Sequence, residues 1–274
     1  MDAPVVIPPP KPKKKDEKEK ETFYLNLPQL PFTCIIVGPR HRGKTYLLKT
    51  ILGKEKGMYG SYFEPENILL YSPTYDYDKT LHELKLKNVF KPPIEMRTIL
   101  GDIMEQQEKF REENNMNDIL LVLEDITQIR GAWEVLETLG YTGRHLKIQT
   151  LAVGHKMSSI PRGVRTQTCQ WILFMPNEQS EWEWILNMFS RRTTQNIWLD
   201  ALRRCWKDPH NFAMIDFEQQ DFDRIYRSGF NNPLFTAEER AFMEKGGLSE
   251  EVFIRAPKSI RVESSKAIHA HRNC

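Results

Sequence analysis

Apolar positions along the chain follow two rhythms. Short unbroken runs rich in Ile, Leu and Val read as strands buried on both faces, and we place them at 33–37, 67–71, 119–123, 149–153, 170–175 and 212–217. Longer stretches with apolar residues every three or four positions read as helices. Residues 96–114 carry Ile99, Ile103, Met104 and Phe110 among many charges, a surface helix with one buried stripe. Residues 178–189 and 193–206 form two more, separated by Ser190, Arg191 and Arg192. Their tryptophans, Trp182, Trp184, Trp198 and Trp206, suit helical core or subunit packing better than stacking on bases. Strands alternating with helices predict an α/β fold: a mainly parallel central sheet with helices on both faces.

Composition changes this picture only at the ends. With 39 Lys+Arg against 37 Asp+Glu, the net charge of +2 is too mild to demand a nucleic-acid partner. Residues 8–21 are proline-rich and then densely charged, with nothing to bury, so 1–22 is expected to be a disordered arm. Its Lys11–Lys15 cluster reads as a solvated tail, with a nuclear-import or polyanion-contacting element as the alternative. Residues 23–235 form the expected single domain, and 236–274 a C-terminal helix and basic tail. In that tail Arg255, Lys258, Arg261, Lys266, His269, His271 and Arg272 face one acid, Glu263, which makes it the better candidate for loose DNA contact. Cys34, Cys169, Cys205 and Cys274 are widely spaced, suggesting neither a zinc site nor a disulfide framework but a reducing interior. No stretch approaches the ~18 apolar residues of a membrane span, and no signal-peptide core opens the chain. A soluble intracellular protein is expected.

The first strand runs into Gly38-Pro39-Arg40-His41-Arg42-Gly43-Lys44-Thr45, and an amphipathic helix follows. Two glycines, Lys and Thr at this spacing between a strand and a helix make a phosphate-binding loop. The glycines let the backbone curl so that N–H groups face the phosphates, and the helix dipole points the same way. Lys44 would reach the β and γ phosphates, and Thr45 would place its hydroxyl on Mg²⁺. Arg40, His41 and Arg42 either add cationic contacts to the triphosphate or stand in solvent.

The strand at 119–123 ends in Glu124-Asp125. A buried strand delivering two acids to the sheet edge beside such a loop is what Mg²⁺-dependent phosphoanhydride hydrolysis needs, one acid supporting the metal and the other the attacking water. The competing reading is two acids capping the next helix.

Further along stand Gly143-Arg144-His145, a strand ending before His155, and Ile160-Pro161-Arg162-Gly163-Val164-Arg165. In this order the blocks resemble the genome-packaging ATPases of nucleocytoplasmic large DNA viruses, of poxvirus and iridovirus type, within the FtsK–HerA superfamily of P-loop NTPases. The resemblance spans roughly residues 30–220. It implies a RecA/ASCE-like fold, ATP and Mg²⁺ as cofactors, and hydrolysis coupled to translocation of double-stranded DNA into a capsid. It also implies a homo-oligomeric ring, a pentamer or hexamer, docked on capsid-vertex or membrane proteins. The compartment would be the host cytoplasm (the viral factory) or nucleus, with virion association. By the same resemblance one subunit's arginine serves its neighbour's γ-phosphate, with Arg144 the first candidate, Arg165 the second and Arg162 the third. His155 takes the sensor position where the family usually has Gln, which would make its action pH-sensitive. The acidic pair usually begins with Asp, whereas Glu124 comes first here; we assign Glu124 to the metal and Asp125 to water. The bulky loop interior, Pro39 to Arg42, also departs from the small residues often found there.

Two other functions fit parts of the pattern. A nucleoside or nucleotide kinase also sets a P-loop on a parallel sheet, but no paired-cysteine or Arg-rich lid is visible. An ATP-binding virion assembly scaffold without turnover is the other. ATP is preferred over GTP because no Asn-Lys-x-Asp motif occurs.

Overall fold

The computed structural model describes residues 27–55, 58–191 and 194–244. The expected arm at 1–22 and the basic tail beyond 244 lie outside the described residues, as do Arg192 and Thr193. Nine strands form one sheet: β1 (Thr33–Val37), β2 (Ile68–Tyr71), β3 (Asn88–Phe90), β4 (Ile119–Leu123), β5 (Ile148–Gly154), β6 (Gln170–Phe174), β7 (Phe212–Asp216), β8 (Tyr226–Ser228) and β9 (Asn232–Pro233). Their spatial order is β3-β2-β4-β5-β1-β6-β7-β8-β9. The first six run parallel, with Val37 opposite Gly154 and Leu123 opposite Ala152.

Both faces of the sheet are covered, as fully apolar parallel strands require. Alternate strand residues point to opposite sides. Ile35, Leu121 and Leu173 lie with α4 (Met96–Glu112), α5 (Ala132–Thr142), α6 (Arg162–Gln167), α7 (Gln179–Phe189), α8 (Gln195–Cys205) and α10 (Ala237–Glu244). Ile36, Val122 and Ile172 lie with α1 (Lys44–Ile51), α2 (Tyr59–Tyr62) and α3 (Lys79–His82). A short α9 (Phe222–Ile225) leads into β8. No helix among the described residues is long and apolar enough to cross a membrane.

Three features depart from the pattern read off the sequence. β7 joins β6 antiparallel, Phe212 opposite Phe174, and β8 and β9 continue that way. Two helices, α7 and α8, separate β6 from β7. The first carries the chain away from the edge where β6 ends and the second brings it back, so the next strand runs in reverse. The strands β3, β8 and β9 are two or three residues long and, apart from buried Arg227, lie half-buried or exposed, too short to show a period. Helix α4 stops before Asn114, which adopts a left-handed φ of 52° that ends the helix. Of the four helical tryptophans, Trp198 and Trp206 are buried, Trp182 packs edge-on to Trp206, and Trp184 is exposed.

Candidate nucleotide site

The loop Gly38–Gly43 leaves the carboxyl end of β1 and enters α1. Gly38 donates its N–H to the Gly154 carbonyl of β5 at 3.2 Å, and a Cβ there would come within 2.5 Å of the Phe174 Cβ. Only glycine fits so close to β6. Gly43, the N-cap of α1, takes φ 92°, and His41 takes φ 63°. Left-handed residues inside a turn bring successive N–H groups to one side, an anion-binding concavity. No side chain caps α1 and its first turn holds no acid, so the leading N–H groups stay open to an anionic ligand.

Lys44 is buried beneath this loop. Its ammonium donates to the carbonyls of Gly38 at 2.7 Å and Pro39 at 2.8 Å, and lies 3.3 Å from His155 Nδ1. His155 Nε2 is 3.0 Å from Asp125 Oδ1. With Lys44 as the donor to Nδ1, the imidazole carries its proton on Nε2 and donates to Asp125. One hydrogen-bonded string therefore runs from the phosphate loop through His155 to the acid after β4. Burial pushes the Lys44 amine down to about 8, opposed by Glu124 and Asp125.

The two acids at the end of β4 sit differently. Glu124 turns toward β2, where Oε2 accepts from Ser72 Oγ at 2.8 Å and Thr74 Oγ1 at 3.0 Å. Burial raises its pKa, and the two hydroxyls work against that rise. Asp125 turns toward β5, takes a left-handed φ of 52°, and accepts from Thr127 Oγ1 at 3.1 Å and Gln128 Nε2 at 2.6 Å besides His155. Burial pushes its pKa up, but the hydrogen bonds from His155 and Thr127 hold it below the usual carboxylate range. Next to this string a cleft is lined by Pro39, Arg40, His155, Lys156, Asn177 and Glu178. Arg42 closes one side by donating to Asn177 Oδ1 at 2.7 Å, and Lys156 pairs with Glu178 at 2.6 Å.

Thr45 starts α1 beside Lys44, half-buried. No group of three or more His, Cys, Asp or Glu side chains converges among the described residues. A threonine hydroxyl with one carboxylate still suits Mg²⁺, which keeps several waters and takes other oxygens from phosphate. Glu124 fits that part, because its Oε1 accepts no hydrogen bond among the described residues and is not sealed in the interior.

The arginines lie elsewhere. Arg144 is exposed in the turn between α5 and the start of β5, near Cys169 at the start of β6. Strand starts and strand ends are about 17 Å apart for five residues, so Arg144 is across the sheet from its own chain's loop. Arg165 is tied within its chain, Nη1 donating to the Ile160 carbonyl at 2.6 Å with its guanidinium 4.8 Å from the Trp184 ring. Arg162 is exposed at the start of α6. The structure thus brings together Lys44, Asp125 and His155, with Glu124 alongside, and among the described residues none of the three arginines shares a hydrogen bond or ion pair with them. Sequence reading missed Ser72 and Thr74. The available signal was a polar Ser-Pro-Thr directly after the apolar run 68–71.

Residues 19–206 match the family model described as "Poxvirus A32 protein". No curated protein matches the chain by sequence. Among solved structures, EssC (ATPases 2 and 3) from Geobacillus thermodenitrificans is 15% identical with a TM-score of 0.50, over 88% of this chain and 44% of that one. It shares the P-loop ATPase fold. The genome packaging NTPase B204 from Sulfolobus turreted icosahedral virus 2, in complex with ATP-gammaS, is 14% identical with a TM-score of 0.48, over 72% of this chain and 96% of that one.

Proposed function

We propose that this chain, which belongs to the Poxvirus A32 protein family, is an ATPase that drives double-stranded DNA into a viral capsid inside the host cell, working as a ring of identical subunits. The observation that carries the reading is the string Lys44–His155–Asp125 beneath an uncapped phosphate loop, with Glu124 beside it. The order of the Gly143-Arg144-His145 and Ile160-Pro161-Arg162-Gly163-Val164-Arg165 blocks supports the packaging role.

Binding starts with exchange. Phosphate oxygens replace the Gly38 and Pro39 carbonyls as partners of the Lys44 ammonium, and the open N–H groups of α1 take the remaining charge. When bound, Mg²⁺ would supply positive charge against the developing charge on the phosphates. Thr45 and Glu124 would hold it. Asp125, kept ionised and oriented by His155, positions the attacking water from the β5 side. Arg144, placed across the sheet from its own loop and bound to no acid among the described residues, is available only to a neighbouring subunit.

Turnover of ATP with and without duplex DNA tests the reading. DNA should raise the rate, and Lys44→Ala should abolish it. Arg144→Ala should lower turnover by about 10³ or more with ATP affinity retained. Mixing the two variants should restore activity, since Lys44→Ala subunits supply Arg144 to intact loops. Turnover that survives Lys44→Ala, or ignores DNA, would overturn the proposal.

A further inference from the structure

We propose that Ser72 and Thr74 are positioning residues for Mg²⁺ binding: they clamp one oxygen of Glu124 so that the other is presented to the metal. The inference rests on the reading of Glu124 as the metal-supporting acid. Neither residue touches nucleotide or metal in this scheme; both act through the carboxylate.

The geometry comes from adjacent strands. β2 and β4 pair in parallel, with Tyr71 opposite Leu123, so the residues that follow, Ser72 and Glu124, leave the sheet side by side. Backbone bonds fix that departure: the Glu124 N–H donates to the Tyr71 carbonyl at 2.9 Å, and the Ser72 N–H donates to the Phe90 carbonyl of β3 at 3.0 Å. Ser72 is fully buried. Its hydroxyl donates to Glu124 Oε2, and the Thr74 hydroxyl donates to the same atom. The Thr74 N–H reaches back to Ser72 Oγ at 3.3 Å, which holds the two hydroxyls in one unit.

Two donors on one oxygen settle both the side-chain torsions and the plane of the carboxylate. A glutamate has three rotatable bonds, and a free one would sample many rotamers in an open cleft. Here Oε2 is committed to β2 while Oε1 accepts no hydrogen bond among the described residues. A hard cation needs an ionised oxygen held at a set distance, and Mg²⁺ tolerates little deviation from octahedral geometry. Groups behind a metal-binding carboxylate typically change affinity by 10–100-fold when removed. Asp125 has no such asymmetry, since both of its oxygens are already engaged.

The test measures nucleotide binding with no turnover required. Affinity for a non-hydrolysable ATP analogue is determined by calorimetry in Mg²⁺ and again in EDTA, for wild type, Ser72→Ala, Thr74→Val, Thr74→Ser and Glu124→Gln. The ratio of the two affinities is the metal contribution. We expect Ser72→Ala and Thr74→Val each to shrink it by about tenfold, with affinity in EDTA unchanged. Thr74→Ser, which keeps the hydroxyl, should restore the ratio. A ratio unchanged in Ser72→Ala and Thr74→Val but lost in Glu124→Gln would overturn the clamp and leave the metal role of Glu124 standing. A ratio unchanged in Glu124→Gln would remove that role and the clamp together. Thermal unfolding identifies any variant whose loss is merely structural, because the EDTA affinity would then fall too.

Discussion

Polar groups at the carboxyl edge of β1, β4 and β5 keep hydrogen-bonding capacity in reserve, whereas the buried carboxylate of Asp216 at the end of β7 has both oxygens engaged. Lys44 rests on two carbonyls that phosphate can displace, Glu124 has one unengaged oxygen, and α1 is uncapped. On the antiparallel flank, fully buried Asp216 accepts from Gln170 and Gln219 side chains and from the Glu218 N–H, and pairs with buried Arg227 at 3.4 Å. Arg227 also donates to the Phe230 carbonyl at 3.1 Å. Around them Trp198 meets Tyr226 and Phe235 edge to face, and Phe222 packs on both. The contrast separates two uses of a buried charge. One flank is built to stay as it is, and the site is built to exchange partners.

The largest expected effects break the flank without touching the site. Trp198→Ala should lower unfolding free energy by about 3–5 kcal/mol through the cavity it leaves. Asp216→Leu should cost about as much, 3–5 kcal/mol, because Arg227 is then buried without its partner. Urea unfolding reads both, and the folded fraction should bind ATP with wild-type affinity. A parallel loss of ATP affinity would show that the two regions are one unit.

Changes in the site should do the reverse. Lys44→Ala should abolish phosphate release and leave the unfolding midpoint near wild type, since a desolvated cation goes with it. His155→Ala removes the middle of the string and should lower the rate by about tenfold or somewhat more, the worth of one hydrogen bond to a charged group. His155→Gln, which can still accept from Lys44 and donate to Asp125, should recover most of that rate.

The smallest effect concerns thiols. Burial pushes Cys169 and Cys205 each up to about 11. In folded protein at pH 7.5 neither should alkylate readily with iodoacetamide, and labelling should climb only as pH rises toward that value. Fast labelling of Cys205 at neutral pH would mean that the flank opens more easily than its packing suggests.

Much of the architecture was legible along the chain. β1 and β4 have the bounds expected from their apolar runs, and the Gly-rich loop and the Glu124-Asp125 pair stand where those strands end. β8 and β9 were not legible, because segments of two or three residues carry no periodicity. Ser72 and Thr74 were hidden for another reason. A serine after an apolar run looks like any strand end until β2 is known to lie beside β4.

By itself the sequence determined the six apolar strands, the longer helices, and where a phosphate loop and two acids interrupt them, because those are local matters of torsion and hydrophobic period. Only the tertiary structure decided what faces what: Glu124 toward the hydroxyls of β2, Asp125 toward His155, Arg144 across the sheet from its own loop. Such contacts depend on strand order and direction. Residues 52 positions apart become neighbours there, and nothing in the local pattern records that they will.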